Sequence, residues 1–272
     1  MRTASCSRGQ CGIKIFNGDC LKILPTFSQK FNAIIADPPY NKLNRKCHWD
    51  NIIPIKEMWD CILPLCYDTT PIILFSCEPY TSELINSQKN LFKYKLYWKK
   101  SHPTNFLNSK KQPLRNIEEI LVFYKKQCTY NPQKSTGHKP VNSYTKYAHT
   151  ANKTVCYGTS KQVSGGGNTD RYPTQLLEFS SDKQVLRLHP TQKPLALIEY
   201  LVKTYSSEND IILDFCMGSG TTGKACENLN RGFVGIENDI SFFEVARQRL
   251  NMEAKQDDNN KLLTRAVRDL QD

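Results

Sequence analysis

The stretch IILDFCMGSGTTGKA, residues 211–225, decides how this chain folds. Ile211 to Asp214 reads as a buried strand that ends in a carboxylate. Gly218, Gly220 and Gly223 follow in G-x-G-x-x-G spacing, and a helical stretch begins at Thr221. Glycines after a strand permit a tight turn and let a ligand lie against the backbone. The next helix offers unpaired N–H groups in its first turn. Strand Phe233–Ile236 comes next and ends in Glu237, where an acid would hold ribose hydroxyls. Together these point to an adenosine-containing cofactor. The spacing alone does not separate NAD from S-adenosylmethionine, but Asp214 weighs toward the latter, because a carboxylate suits a cationic amino group better than a pyrophosphate. Capping or ordering the loop is the plain structural role for the same residue.

Few residues follow this loop, so most strands of the sheet must lie upstream and the sheet must be permuted. Upstream, Ile13–Phe16, residues 33–36 (AIIA), 71–75 (PIILF), 94–100 and 118–126 read as strands. Residues 55–67 read as a helix interrupted by Pro64. Leu195, Ile198, Leu201, Val202 and Tyr205 share one face of another, with Pro194 in its first turn. A last helix is expected to open at Ser241 with Glu244 completing a capping box. Strands alternating with helices mean a mostly parallel sheet covered on both faces. One strand, 33–36, stops abruptly at Asp37-Pro38-Pro39-Tyr40.

The composition, 39% apolar and 10% aromatic, supports a real core. No apolar run approaches the roughly 20 residues that span a bilayer. The start, MRTASCSRGQCG, has no apolar region of a secretory signal. A soluble, cytoplasmic protein without membrane contact is the expectation. The 11 cysteines include no C-x-x-C, so reduced thiols are expected rather than disulfides or a metal site.

The net charge of +11 is concentrated. Residues 93–193 hold 18 Lys/Arg against five Asp/Glu, while the rest of the chain is close to neutral. Tyr94, Tyr97, Trp98, Phe106, Tyr130, Tyr144, Tyr147, Tyr157 and Tyr172 run through the same segment. Cations interleaved with aromatic planes point to nucleic acid. From 127 to about 185 the periodicity dissolves into Gly, Asn, Ser, Thr and Tyr, too long for an ordinary connection and read as a functional lobe.

The motifs NGDCL, ADPPYN, HPTQKP, DFCMGSGTT and GIE occur in that order. The set resembles the DNA amino-methyltransferases, and within them the beta-class arrangement. The resemblance covers roughly residues 13–126 and 186–250. It implies a permuted Rossmann-like methyltransferase fold, α/β, with a mostly parallel seven-stranded sheet, helices on both faces and an inserted target-recognition lobe. The expected partition is 13–126 for the catalytic half, 127–185 for the insertion and 186–252 for the cofactor half. Residues 1–12 and 253–272 would be peripheral tails.

The resemblance further implies S-adenosylmethionine held by Asp214, Phe215, Cys216, Gly218, Ser219, Gly220, Thr221 and Thr222. Glu237 would face the ribose and Asp19 the adenine, with Cys20 and Asn238 also at the cofactor. The helix after His189-Pro190-Thr191-Gln192-Lys193-Pro194 would close over the methionine end, with Thr191 and Lys193 as further cofactor residues. Double-stranded DNA is the implied substrate, with a homodimer and a cognate restriction endonuclease as expected partners. In this family Asp before Pro-Pro-Tyr is typical of adenine-N6 transfer, and Ser there of cytosine-N4.

An exocyclic amine is a poor nucleophile because its lone pair is delocalised into the ring. Asp37 and the Pro38 carbonyl are suited to accept its N–H groups and draw the nitrogen toward tetrahedral geometry. Pro39 fixes the direction of that carbonyl. Tyr40 would stack on a base turned out of the duplex. Asn41, Lys99, Lys100, His102, Asn105 and Arg171 are the expected DNA contacts. The rival readings are cytosine-N4 or RNA methylation, an NAD-linked oxidoreductase, which leaves Asp-Pro-Pro-Tyr unexplained, and a DNA-binding pseudo-enzyme.

Overall fold

The computed structural model describes residues 2–6, 12–40, 52–146, 163–180 and 192–251. In chain order the elements are β1 (Arg2–Cys6), β2 (Ile13–Asn17), α1 (Cys20–Ile23), β3 (Ala33–Ala36), α2 (Ile55–Ile62), β4 (Ile72–Ser76) and α3 (Tyr80–Ser87). They continue with β5 (Phe92–Thr104), β6 (Arg115–Phe123), β7 (Tyr144–Lys146), β8 (Val163–Gly165) and β9 (Leu176–Phe179). The last are α4 (Leu195–Tyr205), β10 (Ile211–Asp214), α5 (Thr221–Asn228), β11 (Gly232–Glu237) and α6 (Ile240–Arg249).

The chain divides into two units, one of residues 1–131 and 175–272, the other Pro132–Thr174. The first holds a nine-stranded sheet in the order β1-β2-β11-β10-β3-β4-β6-β5-β9. Five of its eight pairings are parallel. The expected mostly parallel α/β sheet is therefore present, with two more strands than the seven expected. Both additions are edges. Arg2–Cys6 pairs antiparallel with β2 instead of trailing as a tail, and β9 pairs parallel with β5. Edge strands are recruited through backbone hydrogen bonds, which leave no side-chain period to read. The second unit is narrower than the segment 127–185, because residues 175–179 return to the sheet. Residues 253–272 lie outside the described part.

Side chains alternate across the sheet, as the pleat requires. Ala33 and Ile35 of β3, Ile212 of β10 and Phe233 of β11 join one core with Leu197, Leu201, Ala225 and Phe243 from α4, α5 and α6. Ile34, Ala36, Leu213, Val234 and Ile236 join the opposite core with Ile23, Met58, Trp59 and Leu84 from α1, α2 and α3. Helix α5, which follows β10, covers one face, and α2, which follows β3, covers the other. Strands β10 and β3 are neighbours, with Leu213 opposite Ile34. This is where the connections diverge, the position at which open α/β sheets bind ligands beyond their strand ends.

Two local expectations are corrected. The cap of α6 is Asp239, whose carboxylate accepts from the N–H groups of Ser241 and Phe242 at 2.8 and 3.3 Å. Ser241 is not the cap, and Glu244 turns instead to Arg247 at 2.7 Å. Helix α2 stops at Ile62 and tightens into a 3-10 turn over Leu63–Leu65 around Pro64, which cannot supply an N–H.

Candidate active site

Where β3 and β10 end, a cavity of about 540 Å³ opens between the Asp37–Tyr40 segment and the glycine loop. Its walls include Asp19, Asp37, Asp214, Glu237 and Asp239, and Lys193 is the one cationic side chain among its described lining. A cavity so acidic suits a ligand carrying positive charge and opposes a pyrophosphate.

The loop conformation explains its glycines. Gly218 and Gly220 sit at φ +52° and +75°. A Cβ on Gly223 would lie 2.9 Å from the Phe233 ring, so this position serves the close packing of α5 on the sheet. Asp214 is buried; its carboxylate accepts from Thr222 Oγ1 at 2.7 Å and from the Cys216 N–H at 3.2 Å. Burial pushes the Asp214 carboxyl up to about 7, against those two hydrogen bonds.

Glu237 ties the two loops together. Its oxygens accept from the Gly218 N–H at 2.9 Å and the Asp239 N–H at 2.8 Å. Burial holds this carboxyl above its ordinary value. The Asn17 amide donates to the carbonyls of Glu237 and Asn238, setting the end of β11 against β2. Asp19 caps α1 by accepting from the Leu21 N–H at 3.0 Å, and Cys20 is the first residue of that helix. Ser219 and Thr221 are buried, and Arg249 of α6 donates to the Thr221 hydroxyl at 2.8 Å and to the Ser219 carbonyl at 3.3 Å. Nothing in the sequence pattern marked Arg249 for this loop. Phe215 and Cys216 line the cavity beside them.

On the other wall Asp37 accepts at both oxygens, from Tyr40 Oη at 2.7 Å and from Lys193 Nζ at 2.5 Å. The Tyr40 ring leans on Tyr80, centroids 5.9 Å apart. Lys193 also lies 3.3 Å from Glu118 Oε2, and Lys100 pairs with the other oxygen of Glu118. Four charges, two of each sign, thus run from Lys100 through Glu118 and Lys193 to Asp37. Burial opposes the Lys193 charge, yet Asp37 and Glu118 hold its ammonium above the ordinary lysine value. Burial also pushes Glu118 up, but Lys193 and Lys100 overcome it and leave Glu118 below its usual range. Burial raises Asp37, with Lys193 acting against it.

The structure gives several of the expected residues partners within the protein. Lys193, expected beside the cofactor, lines the cavity and is paired with Asp37 and Glu118. Lys100, expected on DNA, is partly buried against Glu118. Glu118 itself was missed; its only sequence signal is a carboxylate inside the apolar strand IEEILVF. Lys99 is exposed and pairs with Glu178 at 2.9 Å. His102 is exposed, and Asn105 turns the chain beyond β5 in the left-handed region. Arg171 belongs to the second unit, where its guanidinium donates to the carbonyls of Asn168, Asp170 and Lys139. Asn41 and Thr191 lie outside the described residues.

The comparisons with known proteins agree with this geometry. A family model described as DNA methylase, of the N6/N4 type, matches residues 31–248. The chain is 24% identical over 257 residues to the Type II methyltransferase M1.MboII of Moraxella bovis, covering 88% of this chain and 96% of that protein. It is 26% identical over 257 residues to M.HpaI of Haemophilus parainfluenzae, covering 88% and 74% respectively. Among solved structures, the M1.HpyAVI–SAM complex superposes with a TM-score of 0.59 at 29% identity, covering 87% of this chain and 98% of that one. The cytosine-N4-specific PvuII DNA methyltransferase superposes at 0.57 with 16% identity, covering 90% and 86%, a likeness of fold. With a glycine loop, an Asp-Pro-Pro-Tyr wall and a shared cavity in place, the chain belongs to the N6/N4 DNA methylase family.

Proposed function

We propose that the protein transfers a methyl group from S-adenosylmethionine to the N6 amine of an adenine turned out of double-stranded DNA. The observation that carries this reading is that Asp37 and Asp214, 177 positions apart in sequence, leave adjacent strands into one acidic cavity. The acidic lining fits a cofactor with an ammonium and a sulfonium. Asp214 and the loop to Thr222 are its proposed seat, with Glu237 and Asn238 toward the ribose and Asp19 and Cys20 toward the adenine. When bound, the cofactor supplies an electrophilic methyl group.

The chain's own residues prepare the amine. Asp37 accepts one N–H and the Pro38 carbonyl the other, which frees the nitrogen lone pair. Preorganised partners of this kind typically lower a barrier by ~2–4 kcal/mol each. Lys193 opposes the burial that raises Asp37 and fixes its carboxylate. The proton lost from the methylated nitrogen is acidic enough to leave late, through Asp37 or to solvent. Tyr40, its hydroxyl tied to Asp37, offers its ring to the base. The two cavity thiols are poor nucleophiles. Burial, with Asp19 and Cys61 adding to it, pushes Cys20 up to about 12, and burial with Asp214 drives Cys216 well above its ordinary value. An amine acceptor, which needs no thiolate, is consistent with that.

Adenine is favoured over cytosine because Asp37 stands where the cytosine-N4 enzymes of the family typically carry Ser. Because the relatives are named Type II methyltransferases, we extend the proposal to a restriction–modification setting with a cognate endonuclease. A homodimer is proposed with it, to be read by sedimentation. Chromatography of nucleosides from DNA methylated by the purified protein tests the base: N6-methyl-2′-deoxyadenosine is expected, and N4-methyl-2′-deoxycytidine alone would refute the adenine assignment.

A further inference from the structure

We infer that Phe106 and Leu107, at the tip of the β5–β6 hairpin, form a wedge that enters the DNA base stack beside the target base. This rests on the DNA-methyltransferase reading and adds to it a contact outside the cavity.

The sheet places the hairpin. Strands β3, β4 and β10 are parallel and end on the side where Asp37 and Asp214 emerge. Strand β6 runs antiparallel to β4, with Ser76, the last residue of β4, opposite Glu119. Residues before Glu119 therefore overhang the cavity end of the sheet. Glu118, in ion-pair contact with Lys193, is the first of them. Three residues further back Arg115 pairs with Thr104, roughly 10 Å away at ~3.3 Å per residue. The turn lies just beyond.

That turn is well defined and faces outward. Asn105 adopts φ 75°, and Phe106–Asn108 forms one 3-10 turn. The Asn108 amide donates to Asn105 Oδ1 at 2.8 Å, and the Lys111 N–H donates to the Asn108 carbonyl at 2.9 Å. Phe106 is 62% exposed and Leu107 fully exposed. Isolated exposed apolar residues are ordinary, but here an aromatic and an aliphatic side chain stand together on a braced tip.

Charge selects the occupant. No Asp or Glu occurs between Lys99 and Ile117, while Lys110, Lys111 and Arg115 are exposed, and no described carboxylate pairs with them. Cations on the flanks suit phosphates, and an apolar tip suits the gap between unstacked bases. A second copy of this chain, with its net charge of +11, would bring like charges together. Extruding a base leaves a hole in the stack, and a side chain that fills it stabilises the extruded state.

The test compares wild type with the double variant Phe106→Ala/Leu107→Ala. Single-molecule sequencing of DNA methylated by the wild type supplies the site. Single-turnover rates are then measured on two duplexes carrying that site, one fully paired and one with an abasic position opposite the target base. On the paired duplex the variant should be slower by on the order of tenfold to a hundredfold, because the gap left by the extruded base is no longer filled. The abasic duplex should restore it to near the wild-type rate, with cofactor affinity unchanged. Lys110→Ala/Lys111→Ala should instead weaken binding to both duplexes alike. An unchanged rate on the paired duplex, or equal losses on both, would overturn the wedge. Equal losses accompanied by dissociation of an oligomer in sedimentation would reassign the tip to contact between copies, and so overturn it too. A wild-type chain that methylates no DNA would overturn the enzyme reading and the wedge together, whereas an active wild type with an equally active variant removes the wedge alone.

Discussion

Lys193 Nζ lies 2.5 Å from Asp37 Oδ2, joining two motifs 156 positions apart in the chain. The ammonium is buried between Asp37 and Glu118, so it acts on the wall proposed to receive the substrate amine. Cutting a buried ion pair by removing one partner commonly costs ~3–5 kcal/mol. The effect of losing Lys193 should therefore fall on the state of Asp37.

Lys193→Met is expected to lower kcat on the order of tenfold to a hundredfold while leaving cofactor affinity within a few-fold. Lys193 opposes the burial that raises Asp37, and Glu118 adds to that rise. Without the ammonium the Asp37 pKa climbs further, so the acid limb of the pH–rate profile should move to higher pH. Lys193→Arg should restore part of the rate. Weakened cofactor binding with an unmoved profile would make Lys193 a cofactor residue and not a support of Asp37.

Asp37→Ala should abolish methyl transfer and preserve cofactor binding. Calorimetry with S-adenosylmethionine and a methylation assay on the same sample separate the two. Turnover near the wild-type level would remove Asp37 from the reaction.

Asp214, at the proposed cofactor seat, is expected to make cofactor binding pH-dependent. Burial pushes its carboxyl up to about 7, so its protonated fraction falls as pH rises through neutrality, and it would ionise to face an ammonium. Affinity should tighten as pH rises from 6 to 8, with release of up to one proton at the acid end. The same shift has a stability consequence. A carboxyl raised above its unfolded value favours the folded state at low pH, and that contribution is lost between about 4 and 7. Calorimetry in buffers of different ionisation enthalpy measures the proton; uptake in place of release would contradict the assignment.

Gly223→Ala should cost about 1–3 kcal/mol in denaturant unfolding, because the new methyl meets the Phe233 ring at 2.9 Å and a Leu250 methyl at 3.1 Å. Cooperative unfolding at the wild-type midpoint would show that the helix shifts freely on the sheet.

Replacing Pro132–Thr174 with a short linker should weaken DNA binding and remove sequence choice, with cofactor affinity retained. Wild-type affinity should fall steeply with salt if the basic segment meets phosphates. Unchanged specificity in the shortened chain would place recognition elsewhere.

The sequence by itself determined the parts of this protein that depend on neighbours along the chain. Strands β3 and β10 were legible because short apolar runs stop at Asp37 and Asp214, and the glycine spacing followed because a tight turn admits few other residues. Their partnership in one sheet followed from the permuted order of the motifs. Only the tertiary structure decided which charges meet. That Lys100 meets Glu118, and that Lys193 meets both Glu118 and Asp37, depends on the register of β5 against β6 and on the position of Lys193 just before α4. Side-chain identity carries none of that. The same holds for β1 and β9, which join the edges by backbone hydrogen bonds common to every residue except proline.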